Sequence, residues 1–130
     1  MYQHQNNNPK GKHVDDCVIC AIATATGDSW DDVYLDLMIY GFYAKDLPNA
    51  NDIWGQYLVD KGFARKTLPD TCPFCYTVRH FAKDHEQGTF IVSDGTHAIA
   101  VVDGNYIDDW DSGDRTVLYF FERRPRHGNN

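Results

Sequence analysis

The sequence has no apolar run near the roughly 20 residues that cross a bilayer, and its opening stretch, MYQHQNNNPKGK, lacks the apolar centre of a secretory leader. No membrane role is expected, and the expected compartment is the cytoplasm. Positive charge is scarce as well. With 12 Lys and Arg against 19 Asp and Glu, the formal net charge is -7. Nucleic acid is therefore not an expected partner, because affinity for phosphates comes from clustered basic residues. The one basic cluster, Arg123-Arg124-Pro125-Arg126-His127, sits in a terminal tail and reads as a solvated end. Internal repeats are lacking too.

What is there suits one globular domain. The chain has 130 residues, 42% of them hydrophobic and 14% aromatic, enough to bury a core without covalent staples. The domain is expected over 14–123, between a polar, Asn-rich, loosely held segment 1–13 and a flexible tail 124–130.

Helical signals come first. Asp15-Asp16, CVICAIATAT and Gly27 read as acidic N-cap, short buried helix and Gly stop. Ser29 opens a second helix with Asp32 in a capping-box-like position, and Trp30, Val33, Tyr34, Leu37 and Met38 recur at helical spacing. Asn49 to Asp52 opens a third, IWGQYLVDK, ended by Gly62. Phe63 to Leu68 suits a short strand, the prolines at 69 and 73 force a loop, and Thr77 caps a last helix, VRHFAKDH. Strands dominate afterwards, ending with TVLYFFE, so the class is α+β with an antiparallel sheet.

The most informative stretch is TFIVSDGTHAIAVVDGNYIDDWD, residues 89–111. Asp94-Gly95 and Asp103-Gly104 separate three apolar runs, the pattern of an antiparallel meander with tight turns. If Asp103 and Gly104 form a two-residue loop, Val102 faces Asn105, and the two-residue period puts His97, Tyr106, Asp108 and Trp110 on one face. His97 and Asp108 then lie within hydrogen-bond reach, which fixes the imidazole tautomer and favours its protonated form. A three-residue loop reverses the parity and brings Asp109 or Asp111 to that place instead. Trp110 on the same face either shields the His–Asp contact from water or simply packs the sheet.

All four cysteines fall in Cys-x-x-Cys pairs, Cys17/Cys20 and Cys72/Cys75. Four such thiolates can close a tetrahedral zinc site, which makes a zinc-stabilised structural domain one alternative. Against it, about fifty residues separate the pairs, where ribbon-type sites commonly leave ~15–20, and the first pair lies in an apolar helix. The CPFC pair also has the spacing of a redox dithiol, but no βαβ pattern accompanies it. The catalytic reading singles out Cys17. At a first helical turn, unsatisfied amides and the helix dipole favour a thiolate and can hold an oxyanion. Cys20, one turn deeper, reads as a small core residue. Nucleophile, base and orienting acid then follow in the order Cys, His, Asp.

In that order and context, DDCVICAIATATG, SWDDVYLDL, TVRHFAKDHEQGTFIV and HAIAVVDGNYIDDWD resemble the small papain-like cysteine peptidase relatives of phages and bacteria, over roughly Asp15 to Asp111. The resemblance implies a papain-like fold, N-terminal helices packed on an antiparallel sheet. It also implies a protein or peptide substrate, host cytoplasm for a phage-encoded chain, and no cofactor unless the zinc alternative holds. Cys17 would be the nucleophile, His97 the base and later the acid, and Asp108 the residue orienting His97. The implied activity is that of a thiol hydrolase or acyl transferase on a peptide, isopeptide or related amide bond. Because inactive relatives share the fold, a non-catalytic binding or inhibitory protein with an acidic surface is the alternative. One departure stands out: where such enzymes carry a Gln ahead of the nucleophile as an oxyanion donor, this chain has Gly11, leaving Gln5, Asn8 or His13 as substitutes.

Overall fold

The computed structural model describes residues 1–69, 71 and 73–124. The tail expected beyond Arg124 and the thiol of Cys72 lie outside the described residues. Among the described residues four helices, α1 (Cys17–Thr26), α2 (Trp30–Ala44), α3 (Asn51–Asp60) and α4 (Val78–Asp84), accompany six strands. These are β1 (Tyr2–His4), β2 (Phe63–Thr67), β3 (Thr89–Ser93), β4 (Ala98–Val102), β5 (Asn105–Asp108) and β6 (Tyr119–Arg123), in the sheet order β1-β5-β4-β3-β6-β2. The class is α+β.

Local chemistry accounts for the element boundaries. Ser29 Oγ accepts the Asp32 amide at 3.0 Å to start α2, Thr77 and His80 form a reciprocal capping box on α4, and Gly27 ends α1 in the left-handed region at φ 81. Asp103 and Gly104 both take positive φ, 49 and 82, as a two-residue hairpin turn matched to strand twist requires. Val102 consequently faces Asn105 and Val101 faces Tyr106.

The sheet is buried on both faces, and alternate residues of its central strands feed two cores. Ile91, Ala98, Ala100 and Phe121 pack with α1, α2 and α3; Phe90, Val92, Ile99, Val101 and Phe120 pack with α4. Small side chains meet across the first of these layers, Ala21 and Ala25 of α1 in the same cluster as Ala98 and Ala100 of β4. That pairing lets the helix lie close to the strand and fixes where its first turn ends up.

One expectation is corrected. The sheet is mixed rather than antiparallel, because β1 runs parallel to β5 in the register Tyr2 to Tyr106 and His4 to Asp108. Residues 1–13, expected to be loosely held, supply that strand. The Gln5 amide donates to the Asp108 carbonyl at 2.9 Å, and Gln5 and Asn7 side chains each bond Thr24 Oγ1 on α1 at 3.3 Å. Polar side chains here bind the domain through hydrogen bonds instead of burying an apolar stripe, so no hydrophobic period marks them.

Candidate active site

Three side chains converge where β4 begins, β5 ends and α1 begins. His97 precedes the first residue of β4, Asp108 is the last of β5, and Cys17 is the first of α1. His97 Nε2 lies 2.6 Å from Asp108 Oδ2, with the two side chains only 12% and 9% exposed. The Cys17 thiol lines the same cleft as the imidazole and is near enough to it to raise its pKa. Because Nε2 is committed to Asp108, Nδ1 is the ring nitrogen left for that sulfur.

Each member has a local reason for its position. Asp94 Oδ1 accepts the Thr96 and His97 amides at 2.8 and 2.7 Å, folding the 94–97 connection so that His97 is held by its backbone. Asn51, at the start of α3, donates to the Gly95 carbonyl at 3.2 Å and accepts from Trp54 Nε1 at 3.0 Å, tying that loop to the helical layer. Asp108 carries further donors: Ser112 Oγ at 2.7 Å on Oδ2 and the Asp109 amide at 2.7 Å on Oδ1. Three donors on one carboxylate hold it in a single orientation. Ser112 is itself buried. Nothing in the hairpin pattern identified it, since its role depends on how the chain turns after β5.

The electrostatics favour a charged imidazole. Burial alone would lower the His97 pKa, but the bond to Asp108, the nearby Cys17 thiol and the charges behind them outweigh it and raise the value to about 9. The Trp110 ring lies over the imidazole with centroids 5.1 Å apart, and the Arg115 guanidinium sits over Trp110 while pairing with Asp94 at 3.3 Å. Trp110 therefore caps the His–Asp pair on one side.

Cys17 opens onto a cleft of about 440 Å³ that His13, Asp16, Asn49, Trp54, Trp110 and the triad side chains help to line. No side chain caps the N-terminus of α1. Asp16, the N-cap residue, has its carboxylate turned to Trp30 Nε1 at 2.9 Å and Asn8 at 3.4 Å. The first turn of α1 thus has no side-chain cap, and Cys17 and Val18 of that turn line the cleft, an arrangement that suits a developing oxyanion.

Among the three substitutes for the missing Gln, Gln5 is bonded to Thr24 and Asn8 to Asp16, whereas His13 reaches the cleft. His13 Nδ1 lies 2.6 Å from Asp109 Oδ2. Asp109, the alternative to Asp108 under the other turn parity, therefore faces His13 and His4, and Asp111 accepts from the Tyr106 hydroxyl at 2.7 Å.

No family model, curated protein or solved structure matches this chain. Its chemistry rests on its own side chains. For zinc, Cys17 and Cys20 lie a turn apart on α1, and Cys20 is a half-buried thiol whose pKa desolvation pushes up to about 12, opposing the thiolate that a metal needs. Cys75 lines a separate cavity with Phe74, Tyr76 and His80 that shares no residue with the Cys17 cleft. Among the described residues no three His, Cys, Asp or Glu side chains are grouped to hold an ion. No helix among the described residues is long and apolar enough to cross a membrane.

Proposed function

We propose that this protein is a papain-like thiol hydrolase or acyl transferase acting on a peptide, isopeptide or related amide bond through Cys17, His97 and Asp108. The observation that carries this reading is the His97 ring, bonded through Nε2 to a fixed carboxylate at 2.6 Å and sharing a cleft with a thiol at the first turn of a helix.

In the proposed cycle the Cys17 proton moves to His97 Nδ1, and the sulfur attacks the substrate carbonyl carbon. The C–S bond forms as the carbonyl π pair moves to oxygen, where the first-turn amides of α1 receive it. His97 then gives its proton to the departing nitrogen, the C–N bond breaks, and an amine leaves with a thioester on Cys17. His97, now neutral, takes a proton from water or from an acceptor amine. That nucleophile displaces the sulfur, which regains its proton from His97. Asp108 holds the ring in place and balances its charge throughout.

Cys17→Ala and His97→Ala should each abolish turnover of an acyl thioester or peptide substrate while the circular dichroism and melting profile stay those of a folded chain. Alkylation by iodoacetamide gives the direct test. Cys17 should react well ahead of a model thiol at neutral pH, and a rate equal to that of free cysteine would refute an activated nucleophile.

A second reading, a non-catalytic papain-like binding or inhibitory protein, draws support from the outer face of α2, where Leu35, Ile39, Phe42 and Tyr43 are more than half exposed. Cys17→Ala separates the two: a binding protein keeps its effect in cells, an enzyme loses it.

A further inference from the structure

Cys20 is a thiol that the proposed cycle does not use. It is not sealed into the core: Cys17 and Cys20 are both half-buried thiols, and both line the cleft. Small buried positions of the same helix are filled by alanine, at 21, 23 and 25, so packing alone does not require sulfur at position 20.

Helix geometry places the pair for bond formation. Cα atoms three residues apart in an α-helix lie about 5 Å from each other, inside the ~4.4–6.8 Å range of disulfides. Their Cβ atoms, about 5–6 Å apart, must close to about 3.8 Å. The end of α1 can supply that movement. Cys17 is the first helical residue and no side chain caps the helix, so the Cys17 amide holds no intrahelical bond and its backbone can turn without breaking one. The Cys20 amide donates to the Asp16 carbonyl at 2.9 Å, which keeps the second thiol in register one turn away.

The two sulfurs are unequal. Cys17 stands at the helix N-terminus, where the dipole and unsatisfied amides favour a thiolate, in the cleft with His97. Burial pushes the Cys20 thiol up to about 12, which keeps it protonated, so an oxidant that enters the cleft meets a reactive sulfur at Cys17 first.

We propose that Cys17 and Cys20 form a reversible disulfide, made by a hydroperoxide and undone by a dithiol, that switches the nucleophile off. The Cys17 thiolate attacks the terminal peroxide oxygen and the O–O bond breaks. Sulfur loses two electrons and becomes a sulfenic acid, and the alkoxide leaves as an alcohol with the proton that Cys17 gave to His97. The Cys20 sulfur then attacks the Cys17 sulfur: the S–S bond forms, the S–OH bond breaks, and hydroxide departs as water with the Cys20 proton. Proximity on one helical turn offsets the small thiolate fraction of Cys20. A dithiol reverses the bond by two exchanges and is itself left as a disulfide. The inference rests on the acyl-transfer reading only for its consequence, the loss of turnover; the bond itself needs only the two thiols.

The test uses the whole chain, with tert-butyl hydroperoxide as oxidant and dithiothreitol as reductant. Trypsin, cutting after Lys12 and Lys45, leaves both thiols in peptide 13–45, and cutting after Lys66 and Arg79 leaves Cys72 and Cys75 in peptide 67–79, so each pair is read by itself. After peroxide and then N-ethylmaleimide, peptide 13–45 should be unlabelled and lighter by two hydrogens than its reduced form. Dithiothreitol should restore both thiols and the iodoacetamide reactivity of Cys17. Cys20→Ser should lose the disulfide and accumulate Cys17 with two added oxygens, which dithiothreitol does not remove, while its reduced form is alkylated at Cys17 as fast as wild type. A wild-type peptide 13–45 that gains oxygen without losing hydrogens overturns the disulfide, as does one whose two thiols stay open to N-ethylmaleimide at peroxide levels that consume N-acetylcysteine. Either result leaves the catalytic reading standing if Cys17 still alkylates ahead of free cysteine. A disulfide in a chain whose reduced Cys17 reacts no faster than free cysteine supports the redox pair and overturns the catalytic reading instead.

Discussion

Asp108 and Asp109 are neighbours in the chain that hold two different histidines at the same cleft: Asp108 Oδ2 meets His97 Nε2 at 2.6 Å and Asp109 Oδ2 meets His13 Nδ1 at 2.6 Å. Alternation at the end of β5 sends the two carboxylates opposite ways. The contexts differ in burial. The His97 and Asp108 side chains are 12% and 9% exposed, those of His13 and Asp109 73% and 29%. The inner pair therefore feels a far stronger mutual interaction than the outer, which water screens.

Asp108→Asn keeps the shape of the inner pair and removes its charge. The His97 pKa should drop from about 9 to the ordinary imidazole range or below, because burial, which lowers it, is then less opposed. Turnover should fall on the order of 10²- to 10⁴-fold, the range of general acid–base catalysis. Titration of the His97 ring protons by NMR in both proteins checks the first statement, and an unchanged midpoint would remove Asp108 from its assigned role.

Stability should decline on the alkaline side of neutrality. The folded-state pKa of His97, about 9, lies above the unfolded value of about 6.5, so the folded chain holds this proton more tightly than the unfolded one. Its contribution is complete below about pH 6.5 and is lost as pH rises through about 9, with a slope of up to about 1.4 kcal/mol per pH unit from this group. Asp94 acts in the opposite window. Burial raises its pKa, but the bonds from Thr96 and His97 and the Arg115 charge overcome it and lower the value, so its contribution is present above the ordinary carboxylate pKa and lost as pH falls through the folded one. Melting of wild type and His97→Gln between pH 6 and 9 isolates the histidine: the gap between them should narrow steadily as pH rises.

Much of this fold is written in local signals. Asp103-Gly104 specifies its turn by itself, because few other residue pairs take two positive φ values in succession, and that turn alone sets which aspartate meets His97. Ser29, Gly27 and Thr77 likewise mark helix ends through contacts within a few residues. What escaped the sequence was long-range. β1 reaches β5 across about a hundred residues with only three residues of pairing, too short for a two-residue period to register. Ser112 meets Asp108, and His13 meets Asp109, through chain turns that no spacing rule encodes. The insertion of β6 between β3 and β2 is of the same kind.

His13 should matter to turnover more than to folding. Its side chain is 73% exposed, so His13→Ala removes little packing, but the variant loses a hydrogen-bonding group lining the cleft in which the proposed reaction would place a tetrahedral oxygen. Loss of one oxyanion donor in a buried site costs on the order of 10²- to 10³-fold, and an exposed one less, about tenfold. His4→Ala is the matched control, since His4 touches Asp109 at 3.4 Å without lining the cleft. Equal turnover for His13→Ala and wild type, measured as kcat on a thioester substrate, would leave the first-turn amides of α1 as the whole oxyanion site.

The amino-terminal strand couples the sheet edge to the site, so its removal should be felt by His97. Without residues 1–8 the chain loses the parallel pairing of β1 with β5, the packing of Tyr2 on Tyr106 at 5.5 Å, and two donors to the Asp108 carbonyl, the Tyr2 hydroxyl at 3.1 Å and the Gln5 amide at 2.9 Å. At about 1 kcal/mol net per hydrogen bond, with some buried aromatic area besides, the truncated domain should be less stable by roughly 2–4 kcal/mol. Asp108 ends β5, so freeing that edge also loosens the carboxylate behind the imidazole. The truncated protein should therefore melt earlier and titrate His97 at a lower pH than the full chain, while Tyr2→Phe, which keeps the ring and drops one donor, should sit between them. A truncation that melts with wild type and leaves the His97 midpoint in place would mean that the strand rests on the sheet without supporting it.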